Sequence, residues 1–175
     1  MKRVITLAVM LLVAAFAVEA KAQSSQLVGK WQMKDISTLA DDGFKCTKYT
    51  IAFDADGEGE ADFETAGKVA LDDQYTLYMT TELDVEFTWQ VSGGRLSLSN
   101  IDIDIDFDDL SITPYSEEYN QLLPMLKEAM LADYQKLKEE FTSSFLDMMG
   151  DWSVRFIDNN TLLLDNETYI RCQGF

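Results

Sequence analysis

From Tyr49 to Phe107 the chain alternates apolar and polar residues with a period of two, and few architectures can bury such a pattern. Tyr49, Ile51 and Phe53 alternate with Thr50 and Ala52, and Gly59, Ala61 and Phe63 with Glu58, Glu60, Asp62 and Glu64. Tyr75, Leu77 and Met79 alternate with Thr76, Tyr78 and Thr80. Leu83, Val85, Phe87, Trp89 and Val91 alternate with Glu82, Asp84, Glu86, Thr88 and Gln90, and Ile101, Ile103, Ile105 and Phe107 with Asp102, Asp104, Asp106 and Asp108. Successive strand side chains point to opposite faces, so each segment presents one apolar and one polar face. Asp54-Ala55-Asp56-Gly57 and Ser92-Gly93-Gly94-Arg95 are turn signals between them. The expectation is an all-β, antiparallel up-and-down barrel, which buries the apolar face and leaves no exposed edge.

The period changes after Thr113. Thr113 can cap a helix with Pro114 at its first position. Tyr119, Leu122, Leu126, Met130, Tyr134, Leu137, Phe141, Phe145 and Met148 then recur every three or four residues. This predicts a helical insertion over about 114–149, with a kink or break near Asn120–Pro124 and a stop at Gly150. Strands resume at 152–157, 162–164 and 168–172, so the insertion precedes the last strands of the barrel.

The first 22 residues read as an export leader. Lys2 and Arg3 precede an apolar run from Val4 to Val18, and Ala20-Lys21-Ala22 suits cleavage before Gln23. The run is short for a membrane span, which needs about 20 residues. The remaining 23–175 form one domain, placed in the periplasm or outside the cell. In an oxidising compartment Cys46 and Cys172 most simply form a disulfide.

Charge and composition exclude several functions. With 14 Lys and Arg against 31 Asp and Glu, the chain carries −17 and is a poor nucleic-acid binder. It has no His, which removes His-based triads and imidazole metal sites. The acids lie in ladders on strand faces. The neutral or basic segments between them (Thr76 to Thr80, Arg95 to Ser99) would keep like charges on second-neighbour strands, about 10 Å apart. The ladders then form a solvated outer coat, because carboxylates along a strand splay rather than converge on one ion. Asp54-Ala55-Asp56-Gly57-Glu58-Gly59 is similar to the start of a calcium loop, but Thr65 stands where the bidentate Glu belongs.

Several short motifs carry a family resemblance. They are Gly29-x-Trp31 on the first strand, Tyr169-Ile170-Arg171 on the last, the Phe53-x-x-Asp56-Gly57 turn, the Val91-x-Gly93-Gly94-x-Leu96 hairpin, and Phe156-Ile157-Asp158 followed by Leu162-x-Leu164. On these residues the chain resembles the secreted lipocalin-like domains of the calycin superfamily, of the kind found in Bacteroidetes. The resemblance implies structural roles for Gly29, Trp31 and Arg171, with Arg171 stacked on Trp31 at the closed end of the barrel, a contact worth about 1 kcal/mol. The Thr-Asp-Tyr motif of true lipocalins is missing, and their helix follows the last barrel strands rather than interrupting them. Their ligand residues are therefore not carried over.

Tyr49, Ile51, Phe53, Tyr75, Leu77, Met79, Phe87 and Trp89 form the inward face and are the candidate ligand lining. The resulting expectation is an exported, non-catalytic protein that holds a small apolar or amphipathic molecule, with no cofactor and no metal. Two alternatives stay open: an envelope module that docks a protein partner through its helical insertion, and a calcium-binding acidic barrel.

Overall fold

The computed structural model describes residues 24–36, 44–149 and 151–172. The leader, residues 37–43 and Gly150 lie outside the described residues, as do the side chains of Leu137, Phe141, Phe145 and Met148.

Eight antiparallel strands close a barrel in chain order. They are β1 (Gly29–Met33), β2 (Phe44–Phe53), β3 (Glu58–Ala70), β4 (Thr76–Ser92), β5 (Arg95–Thr113), β6 (Trp152–Asp158), β7 (Thr161–Leu164) and β8 (Glu167–Arg171). One helix, α1 (Glu117–Met149), separates β5 from β6. This is the expected up-and-down barrel with a helix before its last strands.

β4 and β5 are longer than expected. The segments 75–80 and 83–91 are one 17-residue strand, because its apolar residues keep the odd phase without a break. Likewise 96–98 and 101–107 belong to one 19-residue strand. Their apparent boundary is a bulge: the pairing jumps from Glu86↔Asp102 to Thr88↔Ser99, and Asn100 has φ 51°. An inserted residue resets which face a strand buries without ending it.

The longer strands overturn the expected spacing of the acids. Glu60, Asp62 and Glu64 of β3 stand directly opposite Glu86, Asp84 and Glu82 of β4. Those three stand in turn opposite Asp102, Asp104 and Asp106 of β5. Three acidic strands are thus immediate neighbours, and nine carboxylates form a grid on the outer wall, about 5 Å between columns. Lysines bracket the grid. Lys30 of β1 reaches Asp62 at 2.9 Å and Glu60 at 3.9 Å. On the far side Lys127 of α1 meets Asp106 at 2.8 Å, and Lys138 meets Asp102 at 2.7 Å and Asp104 at 3.4 Å.

The helix begins three residues later than expected. Thr113 ends β5, and Ser116 is the cap: its Oγ accepts from the Tyr119 N–H at 3.4 Å, and its carbonyl accepts from the Asn120 N–H at 2.9 Å. The helix continues through Pro124. It runs back along β5, with Lys127 beside Asp106, the Tyr134 hydroxyl donating to the Ile103 carbonyl at 2.6 Å, and Lys138 beside Asp102. β5 pairs with β6 only at Arg95↔Ser153 and Leu96↔Trp152. The helix therefore fills the wall where β6 does not reach.

The closed end is built as the resemblance implied. The Arg171 guanidinium lies 4.1 Å from the centre of the Trp31 ring. It also donates to the carbonyls of Val28 at 2.8 Å, Gln26 at 2.6 Å and Asn159 at 3.0 Å, while Trp31 Nε1 donates to the Leu27 carbonyl at 2.7 Å. Gly29 has φ 127°, and a Cβ there would sit 2.6 Å from Arg171 Nη1, so only glycine admits the guanidinium.

The expected disulfide is absent: Cys46 and Cys172 are both free thiols. The register explains why. The Cys172 N–H donates to the Lys30 carbonyl, and Lys30 pairs with Ala52, six residues along β2 from Cys46. At about 3.3 Å per residue that separation is about 20 Å, whereas a disulfide needs Cα atoms within about 7 Å. The Cys46 thiol instead donates to the Lys48 carbonyl at 3.2 Å, and burial pushes its pKa up.

Candidate functional site

The eight candidate lining residues fall into two groups. Tyr49, Ile51, Phe53 and Phe87 belong to the main core, with Trp89 packed against it. There they fill the barrel with one another. Tyr49 stacks on Phe63 with centroids 4.1 Å apart and meets Tyr169 edge-on at 5.7 Å; Phe53 meets Phe87 at 5.9 Å and Trp89 at 5.4 Å. Burial raises the Tyr49 phenol well above its ordinary value and Tyr169 to about 12, so both stay neutral in the core. Gly59 makes room for this packing: a Cβ would lie 2.5 Å from the Phe87 ring.

Tyr75, Leu77 and Met79 lie at the other end, in a second apolar cluster. Leu77, Met79 and Ile112 are buried there beneath Tyr119, Leu123, Leu126 and Met130 of α1. β4 and β5 run on past the packed core, and α1 crosses the face they leave uncovered. Residues 119, 123, 126, 130 and 134 share one side of a helix, and this stripe meets the barrel. Leu122 does not lie on it. It sits at the rim and is 45% exposed, as Met125 is at 61%.

Between α1 and the mouth lies a pocket of about 350 Å³, lined by Leu71, Ile112, Tyr119, Leu122, Leu123, Met125, Leu126 and Ala129. The lining is apolar apart from the Tyr119 hydroxyl, which is turned to the rim and donates to Asp72 Oδ2 at 3.0 Å. The volume lies at the lower end of the range for small-molecule sites, about 300–1,000 Å³. Sequence reasoning placed Tyr119, Leu122 and Leu126 on the helical stripe but missed the convergence of Leu71, Ile112, Leu123, Met125 and Ala129. No periodicity joins a hairpin tip to a helix.

Two further recesses are lined mostly by polar residues. One, of about 330 Å³, is lined by Asp54, Glu58, Gly59, Glu60, Glu86, Phe87, Thr88 and Asn100. The calcium-like segment forms part of it but is a plain turn, with Gly57 N–H donating to the Asp54 carbonyl at 3.2 Å and Glu58 N–H to Asp56 Oδ1 at 3.2 Å. Among the described residues no group of three or more His, Cys, Asp or Glu is arranged to hold a metal ion. The other recess, at the closed end, is lined by Gln26, Phe156, Asn159, Asn160 and Arg171. No described helix is long and apolar enough to cross a membrane.

Residues 27–120, more than half of the chain, match the family described as a lipocalin-like domain. The match runs from the start of β1 into the first turn of α1. None of the curated proteins matches the chain.

Proposed function

The chain belongs to the lipocalin-like domain family, and on that premise we propose that it is an exported, non-catalytic binding protein for a small amphipathic molecule. The single observation that carries this reading is the apolar pocket at the barrel mouth. A tail buried there gains about 0.8 kcal/mol per CH₂ removed from water, while the tightly packed aromatic core below supplies a rigid floor. The ligand thus sits against α1, on Leu71 and Ile112, rather than deep among Tyr49, Phe53 and Phe87. The leader reading of residues 1–22 supports export, and N-terminal sequencing of protein from its host would place the cut before Gln23.

The test is fluorescence titration with the uncharged probe N-phenyl-naphthylamine. Saturable one-to-one binding is expected, and Leu122→Glu should abolish it while leaving the circular dichroism spectrum unchanged. Absence of saturable binding, or binding indifferent to Leu122→Glu, would overturn the proposal.

A further inference from the structure

The rim of the mouth pocket carries one sign of charge. Its segments are 69–76 at the β3–β4 tip, 109–116 at the end of β5, and 117–126 at the start of α1. Together they contain Asp72, Asp73, Asp109, Glu117 and Glu118 and no Lys or Arg. Lys68 and Lys127 lie one residue outside these segments, and Lys127 is held by Asp106 at 2.8 Å.

Two aromatic rings meet on this rim. Tyr75 and Tyr119, both half-buried, have centroids 4.8 Å apart and planes at 55°. Tyr119 lines the pocket and is tied to Asp72 through its hydroxyl. Asp72 is itself fixed, because its Oδ1 accepts from the backbone N–H groups of Gln74 at 2.7 Å and Tyr75 at 2.8 Å. These bonds hold its carboxyl below the usual range and keep it anionic at neutral pH. The Tyr119 phenol is raised by its hydrogen bond to Asp72, then by that charge, by burial and by Glu118, so a second carboxylate acts on the same ring.

Ring faces are electron-rich and attract organic cations, most strongly where water is partly excluded. Here the Tyr119 ring stands beside fixed negative charge and lines an apolar cavity, with Tyr75 packed beside it. An anionic head in the same place would face Asp72 and Glu118 with no Lys or Arg in the three rim segments to offset them. We propose that the mouth pocket takes an amphipathic cation, its hydrocarbon tail between α1 and Ile112 and its ammonium head against Asp72, Tyr75, Tyr119 and Glu118. This rests on the pocket reading above and adds the sign of the head group. The net charge of −17 steers cations to the same molecule.

Calorimetric titration with three twelve-carbon amphiphiles, each below its micelle concentration, tests it: dodecyltrimethylammonium, dodecanoate and dodecyl maltoside. The cation is expected to bind about tenfold or more tighter than dodecanoate. Glu118→Gln and Tyr119→Leu should each narrow that ratio. Equal affinity for cation and anion, with maltoside still bound, would overturn the head-group proposal and leave the pocket reading standing. A cation preference that survives both substitutions would also overturn it, tracing the preference to the acidic wall at large. Failure of all three to bind would overturn both, as would a pocket closed by self-association, visible as a doubled mass in light scattering.

Discussion

Asp84 stands directly opposite Asp104 in the β4–β5 ladder and opposite Asp62 on its other side. It is the centre of the acidic grid. Asp62 has Lys30 at 2.9 Å and Asp104 has Lys138 at 3.4 Å, whereas among the described residues Asp84 joins no salt bridge. Like charges directly opposite on neighbouring strands oppose folding. Asp84→Asn is therefore expected to stabilise the protein by about 0.5 kcal/mol at low salt, and the gain should shrink as salt screens the grid. Urea unfolding at two ionic strengths measures it; a variant less stable than the parent at low salt would contradict it.

The grid also sets a pH dependence. Repulsion from Asp108, then burial and Asp84, holds the Glu82 carboxyl above its usual range. A carboxyl with a raised folded pKa binds its proton more readily in the folded state, so stability rises as pH falls from neutrality through that range. Asp102 and Asp106 are lowered, chiefly by hydrogen bonds from Lys138 and Lys127. At Asp62 burial pushes upward, but hydrogen bonds from Lys30 and Thr50 outweigh it and leave the pKa lowered. Their contribution is present above the unfolded carboxylate pKa and is lost as pH falls through the folded values. The melting temperature is expected to peak on the acid side of neutrality and to drop below about pH 4. Melts that lose stability steadily from neutral pH downward would refute the first half of this profile.

Both cysteines should titrate as thiols. Protein denatured without reductant is expected to give two equivalents with a thiol reagent, and in the native state Cys172 should react before the buried Cys46. Cys172→Ser should change stability by no more than about 0.5 kcal/mol, as substitutions outside the core do. A zero thiol count would restore the bridge and require a register different from the one described.

The Tyr134 hydroxyl is buried and bonded to the Ile103 carbonyl at 2.6 Å. Tyr134→Phe keeps the ring and removes that bond, for an expected loss of about 1 kcal/mol. Deletion of residues 115–149 goes further, since Tyr119, Leu123, Leu126, Met130 and Tyr134 all pack on barrel residues. The expected product is unfolded by circular dichroism; a cooperatively melting barrel would make α1 an appendage instead.

The strands were legible because burial on one face forces a period of two, and Leu83 to Val91 follow it without exception. Gly29, Trp31 and Arg171 were legible only through the family resemblance, since nothing in the spacing of residues 29, 31 and 171 brings them together. Register was not legible. Nothing local distinguishes a bulge at Asn100 from the end of a strand, and that one residue decides whether Glu86 stands opposite Ile101 or Asp102. The same blindness produced the disulfide: two cysteines in one sequence carry no measure of their height along a barrel. The pocket escaped for a different reason. Leu71, Ile112 and Leu123 come from three elements, and only the path of α1 across the mouth brings them together.

That path has a mechanical consequence. A barrel laced by backbone hydrogen bonds all the way round has a fixed girth, since widening it means breaking a ladder. Between β5 and β6 the lacing stops after two residue pairs, and the remaining wall is held by side chains of a helix. Side-chain contacts can slide where ladders must break, so the mouth has one adjustable stave, and the pocket lies against it.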